Sequence, residues 1–204
     1  MNRHSISRPI QKMKNAYNNR MQPDAAEPRR WCQALCADEE CRLKKVVIFG
    51  NSGSGKSTLA REFSEEGSMP HLDLDSIAWK PTSPPERKPI TESKHEIDAF
   101  IGSNGQWVIE GCYSDLLEIV IPESSEIIYL NLPIDACISN AKNHPWEPHK
   151  YISKKTQDKN LDMLINWITQ YSERDDTFSK SAHMALYGNY EGKKTMYTNN
   201  ERRT

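Results

Sequence analysis

The chain has 204 residues, with 27 Lys and Arg against 28 Asp and Glu and a net charge of −1. That length is enough for one domain with a real core, and the balanced charge supplies no global field for nucleic acid or an anionic membrane. No run approaches the ~20 apolar residues of a membrane span, and no apolar segment follows the basic N-terminus as an export signal requires, so a cytoplasmic protein is expected.

The charge is unevenly spread. Residues 1–45 carry ten Lys and Arg against five acids, and the remainder carries 17 against 23, so +5 and −6 sum to −1. Residues 1–43 therefore read as a basic N-terminal extension, disordered or loosely helical, with apolar residues too sparse for a core. A solvated tail is its plainer reading; it is also the one segment suited to touching nucleic acid. Cys32, Cys36 and Cys41 match no standard zinc spacing. Five cysteines without an export signal read as free thiols.

From residue 44 to 204 the pattern is that of one α/β domain. Lys45–Phe49 is a continuous apolar strand suited to cover on both faces. Ser57–Glu66 reads as a helix, "HLDLD" (71–75) as a short alternating strand, and Pro81, Pro84, Pro85 and Pro89 as a stiff loop. A helix with Ser93 and Glu96 in capping-box spacing follows. "QWVIEG" (106–111) and "EIIYLNLP" (126–133) are strands separated by a short helix begun by Ser114, and 133–143 is a helix. "HPWEPHKY" (144–151) is a proline-broken loop. Leu161, Leu164, Ile165, Ile168 and Tyr171 have helical spacing, a last helix covers 177–186, and "KTMYT" (194–198) closes the sheet as an edge strand. Strands alternating with helices imply a parallel, doubly wound sheet.

Between the first strand and helix, Gly50-Asn51-Ser52-Gly53-Ser54-Gly55-Lys56-Ser57 fits GxxxxGKS/T without a gap. Glycines allow the backbone to turn and its amides to approach phosphate oxygens. The helix that follows aims its N-terminal amides and positive dipole end at the same place. Lys56 adds a cation for the β- and γ-phosphates, Ser57 a hard oxygen for Mg²⁺, and Thr58 a position beside the α-phosphate. The stretch 50–58 is thus a Walker A loop expected to hold a nucleoside triphosphate.

Other residues must decide what is done with it. Asp73 and Asp75 follow the second strand, at the carboxyl edge where ligands gather in parallel sheets. They are candidates for Mg²⁺ binding and for accepting the proton of an acceptor hydroxyl; the plainer account is an alternating strand showing its acids to solvent. Glu110 ends an apolar strand in the manner of a Walker B carboxylate, and Gly111 after it leaves room for a substrate; a turn-capping glutamate is the alternative. Lys150, with His149 beside it, lies in the Pro-stiffened loop where a lid would close over the phosphates. Arg174 is the nearest guanidinium, with Asp175 and Asp176 as competing partners.

With these pieces in place, "GNSGSGKSTLA", "HLDLDSIAW", "WVIEGCYSDLL", "PWEPHKY" and "RDDTFSKSAH" resemble the P-loop kinases of the adenylate kinase and shikimate kinase type. More narrowly they resemble a bacterial group of small P-loop ATPases with such labels. The resemblance implies a three-layer fold with a five-stranded parallel sheet of order 2-3-1-4-5. It also implies an acceptor-binding segment after strand 2, a lid after strand 4, and Mg-ATP as donor. In shikimate kinases a D-x-D pair stands where Asp73 and Asp75 stand, one acid serving magnesium and the other the acceptor. This chain departs from both namesakes. Glu110-Gly111-Cys112 replaces a Gly-Gly-Gly run, the arginine nearest to strand 2 is Arg87 in the Pro-rich loop, and 139–173 contains no arginine. Shikimate and AMP are therefore poor candidate acceptors. The expected activity is phosphoryl transfer from ATP to a small molecule by a monomer or homodimer. The alternative is a nucleotide-dependent regulatory ATPase or binding module that works through its basic tail.

Overall fold

The computed structural model describes residues 43–82, 84–146 and 152–201. The chain divides into two units, Met1–Arg42 and Leu43–Thr204, and all described residues belong to the second.

Five strands form one parallel sheet: β1 (Lys45–Gly50), β2 (His71–Asp73), β3 (Trp107–Gly111), β4 (Glu126–Leu130) and β5 (Lys193–Tyr197), in the order β2-β3-β1-β4-β5. β1 is central, with Phe49 opposite Gly111 on one side and Gly50 opposite Leu130 on the other. Its unbroken apolar run follows from burial on both faces, since successive side chains point to opposite sides. Val47 and Phe49 join one core cluster, Val46 and Ile48 the other.

Among the described residues eight α-helices fill the connections: α1 (Lys56–Gly67), α2 (Asp75–Ala78), α3 (Ile90–Ser103), α4 (Ser114–Val120), α5 (Ile134–Lys142), α6 (Lys154–Lys159), α7 (Leu161–Thr169) and α8 (Lys180–Asn189). Leu59 and Ala60 of α1, Cys137 and Ala141 of α5 and Ile168 of α7 cover one face of the sheet. Ile97 of α3, Leu116, Leu117 and Val120 of α4 and Leu186 of α8 cover the other. The result is the three-layer arrangement with the expected strand order. Because every strand runs the same way, all the strand ends that bear candidate residues lie along one edge.

Several local expectations are corrected. The strand expected over 71–75 stops at Asp73, because the Asp73 carboxylate accepts the Asp75 N–H at 2.9 Å and turns the chain into α2. Ser93 and Glu96 do not form a capping box. The helix starts at Ile90, behind Pro89 with φ −53°, and Ser93 instead donates to the Ile77 carbonyl at 2.9 Å while Glu96 pairs with Lys88 at 2.6 Å. The last helix begins at Lys180 rather than 177, set by Ser179, whose hydroxyl accepts the Ala182 N–H at 3.1 Å. α6, capped by Ser153 at 3.2 Å, was not anticipated. Lys150, His149 and Cys32, Cys36 and Cys41 lie outside the described residues, whereas Cys112 and Cys137 are free thiols. Among the described residues no helix is long and apolar enough to cross a membrane.

Candidate active site

The loop of residues 50–55 leaves the central strand and packs tightly against its neighbours. At Gly53 φ is +72°, and a Cβ there would stand 2.4 Å from the Cys137 carbonyl oxygen, so only glycine fits. Asn51 is buried, and its amide reaches across to the Ile168 carbonyl at 3.1 Å while its side-chain oxygen accepts the Ser52 N–H at 2.8 Å. Ser54 is fully buried, and its hydroxyl has no hydrogen-bond partner among the described residues. The loop is therefore held from behind by β4, α5 and α7.

Gly55, left-handed at φ +86°, starts α1. This helix start has no side-chain cap and no acid in its first turn, and its first residue is the cation Lys56. Each of those choices runs against what stabilises an isolated helix N-terminus. An anion bound at the loop would reverse the sign of all three. Lys56 folds back to donate to the Asn51 carbonyl at 3.0 Å. Thr58, one residue beyond Ser57, is exposed in the first turn.

Ser57 links this loop to the neighbouring strand. Its hydroxyl donates to Glu110 Oε1 at 2.6 Å. Glu110 is 2% exposed and stands opposite Ile48 on one side and Asp73 on the other. Burial, with the nearby Asp73 charge next, pushes its carboxyl up to about 7, against the lowering pull of Lys56 and the Ser57 bond. His71, which the sequence reading passed over, brings Nε2 to 3.9 Å from Glu110 Oε1. Its alternation with Asp73 in β2 was the available signal. Ser57, Glu110 and Asp73 offer hard oxygens suited to Mg²⁺ with retained water. Among the described residues no three His, Cys, Asp or Glu are drawn together tightly enough to hold a metal by themselves. The turned glycine loop, the helix start without a side-chain cap and this oxygen set fit a magnesium-bound polyphosphate.

Asp75 lies in the first turn of α2, where Tyr113 donates its hydroxyl to Asp75 Oδ1. The room at Gly111 is taken by Leu74, which a Cβ there would meet at 2.9 Å. Gly111 thus admits the end of β2 rather than leaving open space. Burial pushes the Cys112 thiol up to about 12. Arg87 pairs with Asp115 at 2.8 Å and lies over the Tyr113 ring at 4.5 Å. Arg174 stacks 3.5 Å above Trp167, with Asp176 at 3.9 Å.

Behind the edge runs a buried polar chain that the sequence did not reveal. His183 Nε2 faces the Cys112 carbonyl at 3.0 Å, so it carries the proton, and Nδ1 accepts from Tyr171 at 2.8 Å. Tyr171 in turn meets the Tyr129 hydroxyl at 2.9 Å. Burial lowers His183 to about 4, so the ring is neutral near pH 7. The chain ties the end of β3 to β4 and to the turn after α7.

An open parallel sheet with a Gly-rich loop after its central strand defines the P-loop nucleotide-binding fold. No protein-family model matches the sequence, and no curated protein does. Solved structures do match. A gluconokinase from Sinorhizobium meliloti 1021 aligns with a TM-score of 0.46 at 12% identity, over 79% of this chain and 85% of that one. A sugar kinase from a Janibacter species aligns with a TM-score of 0.43 at 12% identity, over 78% and 87%. A deoxyadenosine kinase from M. mycoides, with bound dATP, gives 0.39 at 12% identity, over 76% and 90%.

Proposed function

We propose that this chain is an ATP-binding, Mg²⁺-dependent phosphotransferase acting on a small-molecule acceptor, with loop chemistry of the adenylate kinase and shikimate kinase type. The observation that carries the reading is the junction between a helix start without cap or acid and a buried carboxylate, Ser57 Oγ lying 2.6 Å from Glu110. The loop amides and the first turn of α1 bind the phosphates. Lys56 exchanges the Asn51 carbonyl for phosphate oxygen. Ser57, Glu110 and Asp73 are the residues that would hold Mg²⁺, which supplies charge neutralisation when bound. Asp75 receives the proton of the acceptor hydroxyl.

The test is ADP release from Mg-ATP with a panel of shikimate, nucleoside monophosphates, nucleosides, sugar acids and aminoglycosides, with Lys56→Ala as blank. Stimulation by one compound, absent in the blank, is the expected result and names the acceptor class. Slow, acceptor-independent release would make the chain a nucleotide-dependent ATPase module instead. ATP affinity unchanged in both Lys56→Ala and Ser57→Ala would remove the phosphate site itself.

A further inference from the structure

Three side chains from separate stretches of sequence meet beside Asp75. Trp79, immediately after α2, donates its indole Nε1–H to the Tyr113 hydroxyl at 2.7 Å. Tyr113, at the foot of α4, passes a hydrogen bond on to Asp75 Oδ1. The Tyr113 ring is 3% exposed and held from two sides, by the Arg87 guanidinium 4.5 Å from its centroid and by Phe178 edge-on at 5.1 Å. Arg87 is itself fixed by Asp115 and by the bridge that places it opposite Trp79. The hydroxyl therefore has one place to sit.

A phenylalanine would fill the same volume, so packing alone does not ask for the hydroxyl. Burial, with the Asp75 charge next, raises the Tyr113 phenol well above its ordinary value, which makes it a permanent donor. An O–H that itself accepts a hydrogen bond is polarised and donates more strongly.

Asp73 is placed differently. Its side chain accepts the Asp75 N–H at 2.9 Å, its carbonyl accepts the Ser76 hydroxyl at 2.6 Å, and it stands opposite Glu110 in the sheet.

We propose that Tyr113, backed by Trp79, is a positioning residue that fixes Asp75 as the carboxylate receiving the acceptor's proton, leaving Asp73 to the metal side. The inference rests on the phosphotransferase reading above. In the step it serves, the acceptor O–H gives its proton to Asp75 as the acceptor oxygen bonds to the γ-phosphorus. The bond from that phosphorus to the bridging oxygen breaks, and its electron pair leaves on ADP.

The test compares the full chain with Tyr113→Phe, Trp79→Phe, Asp75→Asn and the Tyr113→Phe/Asp75→Asn double variant. The readouts are Mg-ATP affinity by calorimetry, and ADP release with water and with the acceptor panel. Tyr113→Phe should keep ATP affinity and KM for ATP and lower kcat about tenfold. Trp79→Phe should act in the same direction and less. The double variant should be no slower than Asp75→Asn alone, because Tyr113 acts through Asp75. A raised KM for ATP with kcat unchanged, or losses that multiply in the double variant, would overturn the proposal. A second readout needs no turnover: the Trp79 indole N–H resonance should move in Asp75→Asn, and a resonance blind to that change would overturn the proposal as well. Lys56→Ala with wild-type ATP affinity would instead show that the phosphate-site reading has failed.

Discussion

The proposed phosphate side and the proposed acceptor side of this edge are built from different material. The phosphate side is a contiguous run of backbone, 50–58, shaped by glycines and backed by the carbonyls of Cys137 and Ile168. The acceptor side assembles Asp75, Trp79, Arg87, Tyr113 and Phe178 from four separate stretches, and each side chain is oriented by another side chain. A phosphate is the same group on every nucleotide, so a rigid main-chain cradle suffices to hold it. An acceptor hydroxyl must be met by one carboxylate at one angle, which only packed side chains can specify. The phosphate side should therefore fail when its backbone is disturbed, and the acceptor side when its neighbours are.

The largest effect expected is from Gly53→Ala. The new methyl would stand 2.4 Å from the Cys137 carbonyl oxygen at a φ of +72°, so α5 or the loop must move. Roughly 2–4 kcal/mol of stability should be lost, and Mg-ATP should no longer raise the melting temperature. A variant that still gains stability from Mg-ATP would show that the cradle is more pliant than its packing implies.

His183→Leu disturbs the support beneath the proposed acceptor side. It leaves the Cys112 carbonyl without its side-chain partner and the Tyr171 hydroxyl with Tyr129 alone, at a cost of roughly 1–3 kcal/mol. The wild type should also lose stability as pH falls. His183 sits at about 4 in the folded chain, below its ordinary 6.5. Between those values the unfolded chain takes up a proton that the folded chain refuses, so stability drops from pH 6.5 towards pH 4. Chemical denaturation across that window should show the slope in the wild type and a flatter one in the variant.

The same contrast decided what could be read from sequence. The apolar run of β1 and the spaced glycines before Lys56-Ser57 are local signals, and the phosphate loop, its helix and the parallel sheet were legible from them. Asp73, Asp75 and Glu110 were legible as strand-end acids because parallel strands present their carboxyl ends together. What joins them was not. Nothing in the spacing of Trp79, Tyr113 and Asp75 says that they touch, since the contact spans 38 residues and depends on how α2 and α4 pack. The buried His183 chain was hidden for the same reason. The capping-box spacing at Ser93 misled because Pro89 started the helix earlier and Ile77 claimed the hydroxyl.

Glu110 belongs to both sides, and its titration sharpens the comparison. In the folded chain it sits at about 7, above its ordinary 4.5. Below 4.5 both states hold the proton and the stabilising contribution is complete. It is lost as pH rises through 7, where the folded chain must expose a buried carboxylate to its own charge. Glu110→Gln should remove roughly 1–3 kcal/mol of that pH dependence, read as denaturation midpoints between pH 5 and pH 8. A midpoint that falls just as steeply in the variant would place the cause elsewhere.

The smallest effect expected is from Ser93→Ala, which probes the acceptor side alone. The Ser93 hydroxyl is buried and donates to the Ile77 carbonyl, pinning the end of α2 to α3. Its loss should cost about 1 kcal/mol. The pin lies two residues before Trp79, so slackening it loosens the indole that backs Tyr113 and, through it, Asp75. It touches nothing in the 50–58 loop. Mg-ATP affinity should therefore stay at the wild-type value while phosphoryl transfer slows. An equal loss of ATP affinity would mean that the two sides are mechanically one, and that the division between backbone cradle and side-chain relay does not hold.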